Sequence, residues 1–395
     1  MKVLLYADFR SPHSRGWRQG LVAAGIDVLA VSSEPVTGYD AVNPVDWLSK
    51  RRQEFLDTSA SAAAEPTGLR RMLKKASNSQ MAHTVMNLGR LRSRRTQLSS
   101  LIDTFQPDII HALRIPYEGL TVLGLRTDVP RIVSTWGSDF VPMASTDVLL
   151  ATWMKRLLKN AAGFQSDSRQ DIERAAGYGL SATVPRFYSA GNFGVDNELF
   201  FVDETRPAGV VVYPRKAKAN ANYAGFVEAA VQLSKRHDLR FVGVGLLPVR
   251  DQFVAQYGED ALASITMTAD LTRDEMAALM RSAEVVVSPT FWDGTPVTVL
   301  EAIASGAQVV AGELPELRTL KDDGMPIELI DARSTQAIVD AISAALDLDQ
   351  QAATAARLPD QFSREANRLR VVDFYDQVAA IGDKRRSGSS TGLST

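Results

Sequence analysis

Two acidic residues that lie eight positions apart, Asp293 and Glu301, mark the segment of this sequence best suited to chemistry. Between them, Thr295 and Pro296 predict the start of a helix, with Thr295 as the N-cap and Pro296 at the first helical position, where a missing N–H costs nothing. The helix would open at Pro296-Val297 with free backbone N–H groups and the positive end of its dipole. Together these features bind anions such as phosphate.

The two carboxylates have two interpretations. An acid beside a phosphate would repel it, so Asp293 and Glu301 are better suited to accept hydrogen bonds from sugar or ribose hydroxyls. The same residues also suit a plain turn, in which Asp293 and Gly294 end a strand and Glu301 is exposed on a helix. The local sequence leaves both interpretations open.

The surrounding elements predict where this segment lies. Short Val- and Ile-rich runs alternate with segments of helical periodicity, which is typical of parallel sheets covered by helices. Strands are predicted at 2–7, 27–31, 108–112, 131–135, 163–166, 209–213, 240–244, 284–288, 308–311 and 327–330. Helices are predicted at 15–24, 117–126, 146–160, 168–178, 222–236, 273–282, 296–305, 334–347 and 363–381. In such α/β folds, ligands bind beyond the carboxyl ends of the strands.

The length of 395 residues fits two domains better than one. The turn-rich stretch 191–207 is the best boundary, and we predict two Rossmann-like doubly wound domains, at 1–192 and 207–355, that face a central cleft. A helical segment at 356–383 either crosses back to the first domain or packs locally. The tail at 384–395 is expected to be disordered.

Composition excludes several classes of protein. The net charge of −2 gives no reason to expect nucleic acid as a partner, and the absence of cysteine excludes disulfide scaffolds and cysteine-based sites. No apolar run reaches the roughly 18 residues of a membrane span, so a cytoplasmic protein is expected. Segment 50–95 carries eleven basic and three acidic residues. This pattern suits contact with the inner face of an anionic membrane, and it equally suits a solvated helical hairpin.

The pattern DGTPVTVLEAIASGAQVV at 293–310 resembles the E-x7-E region of the retaining GT-B glycosyltransferases of family GT4 (glycosyl transferase group 1). The resemblance implies that Glu301 binds the ribose hydroxyls of a nucleotide. It further implies that Asp293, where the family has glutamate, meets the donor sugar. These two residues and His13 are the catalytic candidates, while Gly294, Thr295, Pro296 and Val297 would bind the donor.

Further segments follow the same family order. They are PDIIHA at 107–112, IVSTWGSDF at 132–140, FQSDSRQDIERAAGYG at 164–179 and NFGVDNELF at 192–200. In YPRKAKANANYAGF at 213–226, Arg215 matches the family arginine that binds the donor diphosphate. Lys216, Lys218 and Asn220 compete for the place of the family lysine, and Lys218 is favoured. In FVGVGLLP at 241–248, Gly243 and Gly245 would let the backbone approach the nucleotide.

Acceptor-side candidates come from the first domain. The loop DFRSPHSRGW at 8–17 places His13, Ser14 and Arg15 after the first predicted strand, and a loop histidine is also often merely solvated. His111 is expected to end a strand that faces the cleft. Trp136 stands where many family members have histidine, and Asp139 follows at the matching position.

The resemblance implies a retaining hexosyltransferase that moves a sugar from a nucleotide-diphosphate donor to a hydroxyl of a glycan or lipid-linked acceptor. Cell-envelope, polysaccharide or glycolipid synthesis would be its setting, and no metal or other cofactor is expected. Two alternatives stay open: a GT-B sugar-nucleotide epimerase or phosphorylase, and a non-catalytic partner subunit. The second alternative would explain the departures at Trp136, at Asp293 and in the loop at 215–220.

Overall fold

Runs of Val, Leu and Ile form the strands of two parallel sheets in the computed structural model, which describes residues 1–44, 80–136, 139–140, 148–234, 239–348 and 350–390. Most strand residues are buried on both faces, as expected when helices cover both sides of a parallel sheet. The predicted pair of Rossmann-like domains is confirmed: each sheet has six parallel strands and belongs to one domain.

The first sheet has the strand order β2-β1-β3-β4-β5-β6. Its strands are β1 (Lys2–Ala7), β2 (Asp27–Ser32), β3 (Ile109–Ala112), β4 (Arg131–Thr135), β5 (Gly163–Ser166) and β6 (Arg186–Tyr188). The second sheet has the order β12-β11-β10-β7-β8-β9. Its strands are β7 (Val210–Tyr213), β8 (Arg240–Gly243), β9 (Ile265–Met267), β10 (Val285–Ser288), β11 (Gln308–Gly312) and β12 (Ile327–Ile330).

Helices connect and cover these strands. In the first domain they are α1 (Pro12–Ala23), α2 (Gln80–Phe105), α3 (Leu120–Leu123), which follows a π-helical turn at Ile115–Gly119, α4 (Val148–Asn160) and α5 (Arg169–Gly177). In the second domain they are α6 (Tyr223–Leu233), α7 (Arg250–Tyr257), α8 (Arg273–Ser282), α9 (Val297–Ala304), α10 (Pro315–Asp322), α11 (Thr335–Asp347) and α12 (Gln350–Ala355). The last helix is α13 (Arg364–Ser390). Among the helices so described, none is long and apolar enough to cross a lipid bilayer.

Helix α13 belongs to the second half of the chain but packs on the first domain. It contacts α1, β3, β5 and β6. Val371, Phe374, Tyr375 and Val378 are buried in the same apolar core as Trp17. The first domain therefore completes its core with residues that follow the second domain in sequence.

The predicted disordered tail needs correction. Helix α13 continues through 384–390, and only 391–395 lie outside the described residues. Lys384, Arg385 and Arg386 favour helix, so they extend a helix that its packing on the first domain has already fixed. Segment 50–95 is described only from Gln80 onward, where it forms the first part of α2.

His111 does not face the cleft, and the prediction that it does is wrong. Its side chain is fully buried, with Nδ1 2.5 Å from the Tyr375 hydroxyl and Nε2 2.6 Å from Ser134 Oγ. Burial lowers the pKa of His111 to about 3, so the ring is neutral at physiological pH. The histidine therefore ties α13 to the first sheet.

We expect His111→Ala to destabilise the protein by about 2–4 kcal/mol, because two buried hydroxyls lose a partner and a cavity remains. Thermal or urea unfolding checks this, and donor affinity should be unchanged. His13→Ala, a change in a half-buried histidine, is the matched control and should cost much less stability. Equal losses of stability in the two variants would contradict the structural role of His111.

Candidate functional site

A cavity of about 360 Å³ lies between the two domains, at the carboxyl ends of their strands. Parallel sheets bind ligands at this edge, because the loops that follow the strands converge there. From the first domain, its wall includes Asp8, Ser11, His13, Ser14, Leu113, Arg114, Trp136, Asp167 and Gly191. From the second domain, it includes Arg215, Lys218, Asn220, Trp292, Asp293, Thr295, Pro296, Val297 and Thr298.

Two helix N-termini point into this cavity. Helix α1 starts behind Ser11, whose hydroxyl accepts a hydrogen bond from the His13 N–H at 3.3 Å. Helix α9 starts at Val297, and its first residues also line the wall. Both ends contribute positive partial charge and backbone N–H groups, which suits an anionic ligand.

The predicted cap of α9 needs correction. Pro296, not Thr295, is the N-cap residue, and the helix begins one residue later than predicted. Thr295 is used elsewhere: its hydroxyl donates to the Asp167 carbonyl oxygen at 2.5 Å, and its N–H donates to the same oxygen at 3.1 Å. The threonine thus joins the two domains instead of capping the helix.

Arg215 and Asp293 form an ion pair on the wall of the cavity. Arg215 Nη2 donates to Asp293 Oδ2 at 2.5 Å, and Nη1 donates to Thr290 Oγ1 at 2.7 Å. The Asp293 Oδ1 atom accepts from the N–H of Gly294 at 3.0 Å. Asp293 therefore holds the guanidinium in one orientation while both residues remain partly exposed to the cavity.

The structure distinguishes between the two lysines that could bind the donor diphosphate together with Arg215. Lys218 and Asn220 both line the cavity. Lys216 instead pairs with Asp270 at 2.5 Å, and both side chains are largely exposed. Of the two lysines, Lys218 is thus the one that lines the same cavity as Arg215.

Glu301 lies behind the cavity wall and not on it. Its side chain is 5% exposed and pairs with Arg273 Nη1 at 3.3 Å. Burial raises the pKa of Glu301 to about 7, and the nearby Arg273 guanidinium opposes this rise. The carboxyl group is thus close to its titration point at neutral pH.

Two residues near this pair come from outside the second domain. Arg364, at the start of α13, pairs with Asp196 of the interdomain linker. The charges of Arg364 and Asp196 both act on Glu301, with opposite effects on its pKa. The acid of the motif is therefore coupled to the segments that connect the domains.

The acceptor-side candidates divide into two groups. Ser14, His13 and Trp136 line the cavity, and the rings of His13 and Trp136 meet edge to face at 5.6 Å. Arg15 is turned away, since it donates to the Phe9 carbonyl at 2.8 Å and stacks on Tyr39. Placing Arg15 on the acceptor side of the cavity was therefore wrong.

Asp139 supports the cavity from behind. It is 2% exposed, pairs with Arg114 and accepts a hydrogen bond from the Trp136 N–H at 3.1 Å. Burial raises the pKa of Asp139, and the Arg114 guanidinium opposes this rise. The acid thus orients two residues of the wall, Arg114 and Trp136, without lining the cavity itself.

The three glycines of the predicted donor site differ in their surroundings. A Cβ on Gly243 would meet Leu246, and one on Gly245, which has a φ of +67°, would meet Lys216. A Cβ on Gly294 would lie 2.6 Å from the Asp167 carboxylate. Only Gly294 adjoins the described cavity, and it is needed there for a close approach between the domains.

Sequence reasoning missed three charged residues of the wall: Asp8, Arg114 and Asp167. Each follows closely on a strand of the first sheet, namely β1, β3 or β5. Their positions directly after predicted strands could have identified them, because side chains just past the carboxyl ends of parallel strands face the ligand. Trp292 was also missed, and it lies on the wall with 41% of its surface exposed.

Both halves of the chain are similar in sequence to families of known proteins. Residues 11–187 match the family described as "Glycosyl transferase 4-like domain", and residues 209–347 match "Glycosyl transferases group 1". The chain is 25% identical over 176 residues to alpha-D-kanosaminyltransferase of Streptomyces kanamyceticus, which covers 43% of this chain and 46% of that protein. It is 31% identical over 160 residues to MMP alpha-(1->4)-mannosyltransferase of Mycolicibacterium hassiacum, covering 39% and 37%. The chain thus spans less than half the length of these curated relatives.

The structure of the whole chain also superposes on solved structures of other proteins. Sucrose-phosphate synthase from Thermosynechococcus elongatus superposes with a TM-score of 0.65 at 15% identity, over 99% of this chain and 100% of that chain. Similarity at this level of identity shows a shared fold only. Taken with the two family matches, which together span most of the sequence, it shows that the chain belongs to the glycosyl transferase group 1 family and has the GT-B fold.

Proposed function

We propose that this protein is a retaining glycosyltransferase that moves a hexosyl unit from a nucleotide-diphosphate sugar to a hydroxyl group of an acceptor. One observation carries the proposal: Arg215, Lys218 and the N-termini of α1 and α9 surround one interdomain cavity. This arrangement supplies positive charge from both domains around a volume large enough for a sugar diphosphate. The names of the two curated relatives, which both describe hexosyl transfer, support the substrate class.

In the proposed reaction, the bond between the sugar C1 and the diphosphate oxygen breaks while an acceptor oxygen bonds to C1. The acceptor proton passes to the departing phosphate oxygen, on the same face of the sugar. Negative charge grows on the diphosphate as it leaves, and fixed cations and helix dipoles offset that charge without reorganising. Arg215, Lys218 and α9 would have this role. Glu301, which is 5% exposed and paired with Arg273 behind the cavity wall, would bind the ribose of the donor after turning from Arg273 towards the ligand.

We also propose that these cations balance the diphosphate without a metal ion or other cofactor. Turnover in excess EDTA should then equal turnover in added Mg²⁺. A loss of activity in EDTA that Mg²⁺ or Mn²⁺ restores would contradict this part of the proposal.

A calorimetric panel of UDP-, GDP- and ADP-sugars tests the function, followed by product analysis with a glycan or lipid-linked acceptor. Binding of one donor and formation of a glycoside of unchanged anomeric configuration is the expected result. An epimer or a phosphorolysis product from donor alone would favour the alternative enzymes. Absence of binding by folded protein would favour a non-catalytic partner subunit.

The acceptor is proposed to be a glycan or lipid-linked molecule at an anionic membrane surface, which segment 50–95 contacts. Residues 90–95 of this segment belong to α2, beside an apolar groove of about 270 Å³ that includes Leu91 and Trp153. Trp153 is 41% exposed, and Arg95 and Arg156 also line the groove. An exposed indole beside cations suits the interface of an anionic bilayer.

Sedimentation with vesicles tests this membrane contact. The protein should bind vesicles that contain phosphatidylglycerol and not pure phosphatidylcholine, and salt should weaken the binding. Trp153→Ala should reduce it, while Trp292→Ala, a change at a second tryptophan that is exposed in the described part of the chain, should not. Equal binding to both kinds of vesicle would contradict the proposed contact.

A further inference from the structure

Arg273 is a cation at a position where the local structure favours an acid. It is the first residue of α8 and directly follows the N-cap Thr272, while the next two residues are Asp274 and Glu275. A positive charge in the first turn of a helix is unfavourable, because the N–H groups there carry positive partial charge. The two acids suit this end of the helix and the arginine does not, which points to a role for Arg273 outside α8.

The guanidinium of Arg273 lies between α9 and the interdomain linker, residues 191–207. Its central carbon is 5.2 Å from the centre of the Phe200 ring, and Phe200 is buried in the same apolar core as Leu300 and Ile303 of α9. Nη1 of Arg273 donates to Glu301 Oε1 at 3.3 Å. The aromatic ring thus fixes the cation beside the carboxylate of α9.

The contact with Glu301 uses little of the hydrogen-bonding capacity of Arg273. Nε and Nη2 are buried and have no acceptor among the residues that the structure describes. The single bond from Nη1 measures 3.3 Å, whereas charged pairs typically measure about 2.7–2.9 Å and strong Arg–carboxylate contacts are bidentate. One long bond therefore holds the carboxylate, and a ligand that offers better donors can replace it.

Two further charges act on Glu301 from other elements. Arg364 belongs to the start of α13 and Asp196 to the linker, and the two form an ion pair. Burial is the main cause of the raised pKa of Glu301, Arg273 opposes the rise more strongly than Arg364 does, and the nearby linker acid adds to it. Because the second arginine already has a carboxylate partner, the charge of Glu301 depends chiefly on Arg273.

We propose that Arg273 is a positioning residue, which keeps Glu301 ionised and oriented until the ribose hydroxyls of the donor replace the guanidinium as its partner. This inference rests on the proposed function, in which Glu301 binds that ribose. An ionised carboxylate accepts hydrogen bonds from hydroxyl groups more strongly than a neutral carboxyl group does. Arg273 thus acts on donor affinity through the charge of Glu301, without contact with the reacting atoms.

A second arginine of α8 offers a matched comparison. The central carbon of the Arg281 guanidinium is 4.8 Å from the centre of the Phe201 ring, and Nη1 donates to the Leu199 carbonyl oxygen at 2.6 Å. Arg281 thus shares with Arg273 its helix, its charge and its stacking on a linker phenylalanine, but its hydrogen bond goes to the backbone and not to Glu301. A change at Arg281 therefore measures the effect of losing a cation at the linker alone.

Calorimetry between pH 6 and pH 9.5 tests the inference, with whichever of UDP-glucose, GDP-mannose and ADP-glucose binds to the wild-type protein. Arg273→Met keeps most of the side-chain length and removes the charge. The pH below which donor affinity falls should rise by about one unit or more, because Glu301 loses its nearest cation. At pH 7 the variant should bind the donor at least about fivefold more weakly, and this loss should shrink as the pH rises.

Two variants distinguish charge from packing. Arg273→Lys keeps a cation and should restore most of the wild-type pH profile, and Arg281→Met should leave the profile unchanged. A loss of affinity in Arg273→Met that is equal at pH 7 and pH 9.5 would show a purely structural role and overturn the inference. An unchanged profile in Arg273→Met, or an equal shift in Arg281→Met, would also overturn it.

Urea unfolding at pH 9 adds a measurement that needs no donor. Glu301→Gln should stabilise the protein more in the Arg273→Met background than in the wild-type background, because the buried carboxylate there has no adjacent cation. If the donor binds but the two stabilisations are equal, this inference alone fails. If the wild-type protein binds none of the three nucleotide sugars, the proposed function fails, and the role of Arg273 in donor binding fails with it.

Discussion

Replacing Glu301 by Gln should weaken donor binding by about 100-fold and, at pH 8, make the protein more stable. A hundredfold loss corresponds to about 2.7 kcal/mol, the range expected when charged hydrogen bonds to two ribose hydroxyls become neutral ones. For the wild-type protein, donor affinity should fall as the pH drops through about 7, because burial raises the pKa of Glu301 to about 7 and protonation removes the charge. Calorimetry between pH 6 and 8 measures both effects.

The gain in stability follows from the same raised pKa. Below the ordinary value of 4.5, Glu301 is protonated in both the folded and the unfolded chain. Between 4.5 and about 7 the unfolded chain ionises first, so the stability that the protonated group contributes is progressively lost. The loss above pH 7 is on the order of 3 kcal/mol, and Glu301→Gln avoids it.

Thermal unfolding at pH 8 and at pH 5 checks this second effect. The stabilisation by Glu301→Gln should be large at pH 8 and shrink towards pH 5. Glu173→Gln, a change in an exposed acid of α5, should have little effect at either pH. A Glu301→Gln variant that is less stable at pH 8 and binds donor normally would refute both the buried charge and the donor role.

Replacing Arg215 by Ala should reduce affinity for a nucleoside diphosphate by about 100-fold, while affinity for the nucleoside alone changes little. Asp293 and Thr290 already orient the guanidinium, so a diphosphate would bind to N–H donors whose positions are fixed. Its removal also leaves Asp293 without its cation, and the acid then repels the phosphate. Calorimetry with the matched nucleoside, monophosphate and diphosphate separates these contributions.

Two further variants sharpen the Arg215 test. Arg215→Lys should recover only part of the affinity, because an ammonium group cannot donate the two parallel hydrogen bonds that a guanidinium donates. Arg333→Ala removes an exposed arginine that stacks on Phe291 and does not line the described cavity, so it should bind diphosphate normally. Equal losses in the Arg215 and Arg333 variants would show a general effect of charge and not a diphosphate site.

Much of the fold could be predicted, because apolar runs such as 2–7 and 284–288 clearly indicate buried strands. The strands β6 and β9 were missed, since each has only three residues and little periodicity to read. Helices α7, α10 and α12 were also missed. None of the three is longer than eight residues, and α10 begins with a proline, which in a local pattern is typical of a turn.

The site was less predictable than the fold. Spacing identified the segment of Asp293 and Glu301, but not that one acid lines the cavity while the other is buried behind it. Glu301 is buried by its contacts with Arg273 and the interdomain linker, and no local sequence pattern shows that these segments lie beside it. The role of Thr295 was misread for the same reason, because its partner, Asp167, is 128 residues away in sequence.

The packing of α13 on the first domain sets an order of events during synthesis. A ribosome has made β1 to β6 and the whole second domain before it reaches Phe374 and Tyr375. Until those residues emerge, Trp17 and His111 lack Tyr375, whose hydroxyl hydrogen-bonds to both side chains in the finished protein. The half of the molecule translated first is thus the half completed last, and the second domain can fold while the first still waits for α13.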